Sequence, residues 1–183
     1  MLLIAALSLL SITTARTITL KNSCEESLSI AYSDRSYQGK TPDHIRLPLL
    51  AAGQSHPLDV GRKWESARIW AGSGCSGEPV QCLSGLVPPW TLAEFNLVDS
   101  QALNQPDAND DFDVSVVDGF NLPLAITYDE AKCAVPAEIP PKCDGNINAK
   151  CPQQLRTMLD PQGLNLGCYS ACHAGFGKFV LIC

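Results

Sequence analysis

The sequence DVSVVDGFNLP, residues 113–123, gives the clearest structural signal in this chain. Its first half contains several valines, and β-branched side chains favour a pleated strand. Asp118-Gly119 then supplies a residue pair typical of tight turns, and a second apolar run follows at 122–128. The stretch therefore predicts two β-strands with a turn between them.

Similar short runs precede it, separated by glycine-containing turns, at 17–20, 28–32, 45–50, 56–60, 67–71 and 91–97. Many short strands at this spacing are typical of an antiparallel β-sandwich. We therefore predict an all-β sandwich domain over residues 16–128. Its predicted core consists of Ile18, Leu20, Ile30, Ile69, Trp70, Leu92, Phe95, Val114, Val116 and Phe120.

The composition changes at residue 129, after which the chain is rich in proline and holds six of its nine cysteines. A loop-rich module of this size has little core of its own, and disulfides are its expected stabilisers. Residues 129–183 are therefore predicted to form a small cysteine-rich second lobe. One short helix is predicted within it, at 152–159, with Pro152 in the first turn.

Residues 1–15, MLLIAALSLLSITTA, form an uncharged and mostly apolar leader. The leader is shorter than the roughly 20 apolar residues that cross a bilayer as a helix. It ends in the small residues that signal peptidase requires. We interpret it as a signal peptide. Together with the cysteines, it predicts a secreted, extracellular protein.

The charge balance excludes two classes of partner. The chain has 13 basic and 19 acidic residues and a net charge of −6. Nucleic acids and anionic membranes attract clustered positive charge, which is absent here.

Cys168-x-x-x-Cys172-His173 could hold zinc only with a second matched pair in a reducing compartment. Disulfides are favoured, no metal or other cofactor is predicted, and a monomer is expected.

Several motifs together resemble the thaumatin-like family. They are TLAEF at 91–95, the stretch 113–123, Ala67-Arg68-Ile69-Trp70, NIN at 146–148, CPQQLR at 151–156 and LGCYSAC at 166–172. The resemblance implies a flattened β-sandwich, a disulfide-rich second lobe and a cleft between them. It also implies that this chain is truncated at its C-terminus and that the second lobe is incomplete.

The resemblance further implies a charged cleft. Arg68, Glu94, Asp113 and Asp118 match four of the five charged cleft residues of the family. Carboxylates accept hydrogen bonds from sugar hydroxyls, and the fixed charge of Arg68 favours the ionised form of carboxylates beside it. The expected ligand is β-1,3-glucan of cell walls, as in defence or antifungal members. Any endo-β-1,3-glucanase activity is expected to be weak, with Glu94 as the proton donor and Asp113 or Asp118 as the second carboxylate.

Two other interpretations stay open at this point. The four charged residues could be ordinary solvated residues of strand edges and turns. The protein could also be a non-catalytic inhibitor of a secreted glycosidase or protease, since compact disulfide-linked sandwiches suit that role.

The resemblance also implies a disulfide pattern. The predicted pairs are Cys75–Cys82, Cys151–Cys168 and Cys172–Cys183, with Cys133–Cys143 as a substitute pairing and Cys24 unpaired or linked to another chain. Because the number of cysteines is odd, at least one thiol must stay outside the intramolecular pairs.

The leader generates the first testable prediction. Mass spectrometry of the culture fluid of expressing cells should find a mature N-terminus at Arg16, within one residue, because cleavage is expected after Ala15. A cytosolic protein that retains Met1 would contradict the prediction.

Overall fold

The computed structural model describes residues 15–99, 101, 108–128 and 140–176. The strands are β1 (Arg16–Lys21), β2 (Ser29–Ser33), β3 (Ile45–Arg46), β4 (Ser55–Gly61), β5 (Trp64–Gly72), β6 (Leu92–Leu97), β7 (Asp111–Ser115), β8 (Leu124–Ala125), β9 (Lys142–Cys143), β10 (Arg156–Leu159) and β11 (Asn165–Cys168). One helix, α1 (Ile147–Lys150), and two 3₁₀ turns, Arg35–Tyr37 and Gln153–Leu155, complete the described elements.

The architecture is an antiparallel β-fold, as predicted. The main sheet has five strands in the order β3-β2-β5-β6-β7. Strands β1 and β4 form a separate antiparallel pair, and their apolar side chains share one core with the main sheet. Two further pairs, β8–β9 and β10–β11, involve the C-terminal third of the chain.

Aromatic rings run across the inner face of the main sheet. Trp64 lies 6.2 Å from Tyr32 and 5.8 Å from Phe95, measured between ring centroids. Phe95 in turn lies 6.4 Å from Phe112. These separations are within the range of favourable aromatic pairs. The rings therefore connect β2, β5, β6 and β7 from one side and leave the opposite face for other residues.

A β-bulge in β5 decides which residues reach that opposite face. Trp64 pairs with Leu97 and Ala67 pairs with Phe95, so β5 takes three steps where β6 takes two. Ser66, within the bulge, has a positive φ of 50°. Trp64 and Ala67 consequently both point into the core, and Arg68 lies on the outer face.

The second part of the chain is attached to the end of the main sheet through residues 117–121. Phe120 and Cys168 form an antiparallel bridge with two backbone hydrogen bonds of 2.8 Å. Gly119 has a φ of 123°, and a Cβ there would collide with the Cys168 carbonyl and the Pro89 side chain. The Asp118-Gly119 pair therefore permits a close backbone approach between the two parts.

Asn121 connects this attachment to the sheet. Its buried side chain accepts a hydrogen bond from the Thr91 backbone N–H at 3.0 Å and donates one to the Ala71 carbonyl at 2.8 Å. The backbone carbonyl of Asn121 accepts a 2.8 Å hydrogen bond from the side-chain amide of Asn148. One residue thus holds the end of β5, the start of β6 and helix α1 together.

The predicted helix at 152–159 is wrong. Only Gln153–Leu155 forms a 3₁₀ turn, and Arg156–Leu159 is strand β10. The backbone of this segment pairs with β11, so its hydrogen bonds run between strands. The predicted strand at 45–50 is also shorter, since β3 covers Ile45–Arg46 alone.

The predicted core divides into two groups. Leu20, Ile30, Ile69 and Phe95 lie in the main core, whereas Trp70 and Leu92 form a second cluster with Ala31. Phe120 is buried, and Ile18, Val114 and Val116 are partly buried. The predicted domain boundary at residue 129 lies outside the described residues and stays a prediction.

The Asn121 contacts generate a stability prediction. Asn121→Ala leaves the Thr91 amide and the Ala71 carbonyl without their partner, and each buried unsatisfied group costs about 1–3 kcal/mol. We expect the free energy of unfolding to fall by roughly 2–4 kcal/mol, measured by urea denaturation.

The matched control is Asn96→Ala, which removes the same side chain from an exposed position of β6. Surface changes of this kind usually shift stability by about 0.5 kcal/mol or less. Equal losses in the two variants would contradict the role given to Asn121.

Candidate functional site

Three of the four predicted charged residues form one row across the outer face of the main sheet. Arg68 on β5 pairs with Glu94 on β6, and Glu94 pairs with Asp113 on β7. Residues paired directly across antiparallel strands place their side chains on the same face, with Cβ atoms about 4.5–5.5 Å apart. Pairing across three strands thus joins residues that are far apart in sequence.

The row lines an open groove of about 340 Å³. Residues on neighbouring positions of the same three strands complete its walls, and the full lining is Ser66, Ala67, Arg68, Glu94, Phe95, Asn96, Asp111 and Asp113. The groove presents a guanidinium, an amide and three carboxylates. It can therefore both donate and accept hydrogen bonds along its length.

Arg68 and Glu94 form a loose ion pair. The Arg68 Nε atom lies 3.9 Å from Glu94 Oε1, and their side chains are 50% and 37% exposed. Water screens a pair of this exposure, so the pair contributes little to folding stability. Both side chains remain open to a ligand.

Asp111 and Asp113 lie in an electrostatic environment that differs from that of the Arg68–Glu94 pair. They alternate along β7 and both line the groove. The pKa of Asp113 is raised by partial burial and by the negative charge of Asp111. Sequence reasoning did not select Asp111, although its position two residues before Asp113 in a strand puts it on the same face.

Asp43 and His44 lie beside the Arg68 end of the row. His44 Nδ1 is 2.8 Å from Asp43 Oδ1, and the Asp43 carbonyl accepts a 2.6 Å hydrogen bond from the Ser33 hydroxyl. The pKa of Asp43 is lowered by the His44 hydrogen bond and, to a smaller extent, by Arg68. No local sequence pattern predicts this carboxylate as a site residue, because the pairing of β3 with β2 brings it here.

The structure places Asp118 apart from the groove lining. Asp118 Oδ2 accepts a 3.0 Å hydrogen bond from Trp90 Nε1, and Asp118 Oδ1 lies 3.8 Å from His173 Nδ1. The His173 ring stacks on Tyr169 with a centroid distance of 4.7 Å. Asp118 thus contacts residues at the junction with the C-terminal part, and its predicted catalytic role stays a prediction.

Two disulfides lie within the described residues, Cys75–Cys82 and Cys151–Cys168, as the resemblance implied. Cys24 is a half-buried free thiol whose pKa is raised by burial and by Glu26. Cys143 is disulfide-bonded, and its predicted partner Cys133 lies outside the described residues. Cys183, the predicted partner of Cys172, lies outside them as well.

Two negative findings concern the described part of the chain. No group of three or more histidine, cysteine or acidic side chains there could hold a metal ion. No helix among those residues is long and apolar enough to cross a membrane.

Comparison with the sequences of known proteins supports the assignment of the fold. The family model for the Thaumatin family matches residues 22–178. A pathogenesis-related 5 protein of Juniperus ashei, Jun a 3.0101, is 32% identical over 192 residues, covering 92% of this chain and 74% of the relative. A protein of Prunus avium named glucan endo-1,3-beta-glucosidase is 33% identical over 180 residues, covering 86% of this chain and 66% of the relative.

Some relatives are matched over less of their length. Pathogenesis-related thaumatin-like protein 3.8 of Cryptomeria japonica is 35% identical over 140 residues, 68% of this chain and 52% of the relative. The chain thus spans about half the length of some curated relatives that it matches. The match of the family model over most of the sequence, together with the antiparallel β-fold, shows that this chain belongs to the thaumatin family.

Proposed function

We propose that this chain is a secreted thaumatin-like protein that binds β-1,3-glucan of cell walls in its acidic groove, in a defence or wall-remodelling role. The observation that carries the proposal is the row Arg68–Glu94–Asp113 along the groove on the outer face of the sheet. Neighbouring strands lie about 4.8 Å apart, so the row extends over roughly 10 Å.

The chemistry of the row suits a neutral polyhydroxy chain. Each sugar hydroxyl can donate one hydrogen bond and accept others. Glu94 and Asp113 offer acceptors, Arg68 offers donors in a fixed fork, and Asn96 offers both. The side chains project from a hydrogen-bonded sheet, which holds their backbone positions before a ligand arrives.

Weak hydrolysis is the finer part of the proposal. Glycosidases need two carboxyl groups beside the scissile bond, about 5–5.5 Å apart in retaining enzymes. Glu94 and Asp113 are direct cross-strand partners, so their side chains lie next to each other on the outer face of the sheet. The relative from Prunus avium, named glucan endo-1,3-beta-glucosidase, supports the same chemistry. We propose Glu94 and Asp113 as the reacting pair, since Asp118 contacts Trp90 instead.

The groove generates a binding prediction. Glu94→Gln removes the central charge of the row, and a hydrogen bond to a charged group contributes about 1.5–3 kcal/mol. We expect binding to insoluble β-1,3-glucan to weaken at least about tenfold in a sedimentation assay. Any release of reducing sugar should be lost, because Glu94 needs a carboxyl group whether it acts as the proton donor or as the second carboxylate.

The matched control is Glu25→Gln, which changes the same residue type at an exposed position distant in sequence from the groove strands. It should bind glucan like the parent. If Glu94→Gln binds as tightly as the parent, and neither protein releases reducing sugar, the groove has no role in glucan binding.

A further inference from the structure

The guanidinium of Arg46 is a partly buried charge that no acid accompanies. Arg46 lies on β3, and its Nη1 atom donates a 3.0 Å hydrogen bond to the Ser29 hydroxyl. Within the part of the chain that the structure describes, Arg46 forms no other hydrogen bond and no ion pair. An acid normally accompanies a charge that is withdrawn from water, because an unpaired charge is costly to desolvate. Most N–H groups of Arg46 therefore remain to be offered to an anion.

Strand pairing places Arg46 beside Trp70 on the outer face of the main sheet. Arg46 pairs with Ala31 on β2, and Ala31 pairs with Trp70 on β5, so the three side chains lie on one face. Ala31 is fully buried and has only a methyl side chain between its two large neighbours. Trp70 is 6% exposed, and its Nε1 atom is buried without a hydrogen-bond partner among the described residues. Acceptor atoms are thus what both neighbours of Ala31 lack.

Arg46 also lies at the basic end of the charged row. Arg46 and Arg68 flank β2 on the same face, from β3 and from β5. Glu94 on β6 is three strand spacings from β3, or roughly 14 Å, which exceeds the Debye length of about 10 Å at 0.1 M salt. Asp43 and His44, just before β3, bond each other at 2.8 Å, which engages the Asp43 carboxylate. The outer face is therefore basic toward β3 and acidic toward β7.

We propose that Arg46 forms a subsite for the carboxylate of a uronic acid unit, so that the polysaccharide on this face carries acidic sugars. A guanidinium presents parallel N–H groups that match the two oxygens of a carboxylate. A neutral glucan brings no charge partner for Arg46, whereas a uronate does. Burial lowers the pKa of Arg46, in agreement with a cation that has no acid beside it. The inference rests on the proposed function for the polysaccharide chain and adds the class of sugar that reaches the β3 end.

The test compares β-1,3-linked glucose tetrasaccharides that differ in one group. One probe is neutral. Two others carry glucuronic acid, the C6 carboxylate of glucose, at one end or at the other, so that either direction of the chain along the groove is covered. Calorimetry should show that the parent binds one acidic probe at least about tenfold more tightly than the neutral probe, because hydrogen bonds to a charged group are the stronger ones.

Variants assign the preference to Arg46. Arg46→Gln removes the charge, and Arg46→Lys keeps the charge without the fork of N–H groups. We expect the ratio of acidic to neutral affinity to fall to about one in Arg46→Gln and to an intermediate value in Arg46→Lys. The matched control is Arg35→Gln, which removes the same charge from an exposed residue that pairs with Glu65. This control should keep the ratio of the parent.

A second measurement needs no variant. Nitrogen-15 NMR of the parent, titrated with glucuronate alone, follows the side-chain N–H signals of Arg46 and Trp70. Both signals should shift and saturate with glucuronate, and sodium sulfate at the same ionic strength should shift them less. Equal shifts with the two anions would overturn the uronate assignment.

The outcomes separate this inference from the glucan proposal. Equal affinities of the parent for the neutral and acidic probes, or an undiminished preference in Arg46→Gln, overturn the subsite while the groove keeps its glucan. A parent that binds none of the tetrasaccharides overturns the glucan function. The titration with glucuronate then still decides whether Arg46 binds a carboxylate.

Discussion

The buried amide of Asn121 is the interaction on which the site depends. It holds the Ala71 carbonyl at the end of β5 and the Thr91 amide at the start of β6. These are the two strands that carry Arg68 and Glu94, so the hydrogen bonds of Asn121 support the β5–β6 ladder that sets the relative position of the charged row. Asn148 extends the network to the C-terminal part of the chain. Both polar atoms of the Asn121 side chain have partners inside the protein, which makes these bonds costly to leave incomplete, whereas Asn148 Oδ1 is buried without a partner in the described part of the chain.

The main core lies on one face of the sheet, and the proposed groove lies on the other, beside the smaller buried cluster of Trp70, Leu92 and Ala31. The inner face is filled by rings such as Trp64 and Phe95, whose burial removes apolar surface from water and stabilises the fold. The outer face carries partly exposed charges whose mutual interactions contribute little. Repulsion between Asp111 and Asp113 can therefore be tolerated, because the packed layer beneath them holds β7 in register. Such an arrangement allows the charges of the groove to be tuned for a ligand with a small effect on folding.

Much of this could be predicted from the sequence, and the failures have physical causes. Alternating apolar residues predicted most strands, and the family resemblance selected Arg68, Glu94 and Asp113. Asp111 and Asp43 were missed because their proximity to the groove depends on strand pairing between distant segments, which a local pattern does not contain. The error at 152–159 is of the same kind: pairing with β11 decided the conformation. The family resemblance predicted Asp118 as a cleft residue, but its contacts with Trp90 and His173 determine where its carboxylate lies.

The bulge at Ser66 has a consequence for the two faces of β5. With its extra residue, β5 presents Trp64 to the core and Arg68 to the outside. Four residue steps separate Trp64 from Arg68, and strict alternation over four steps would put both side chains on the same face, so the extra residue of the bulge is what puts them on opposite faces. Point substitutions at Ser66 leave that sidedness intact, and glycine would suit its positive φ. Deleting Ser66 would leave three steps between Trp64 and Arg68 and would keep the two side chains on opposite faces of an uninterrupted ladder. The bulge therefore affects the local twist of β5 more than the side of the sheet on which Arg68 lies.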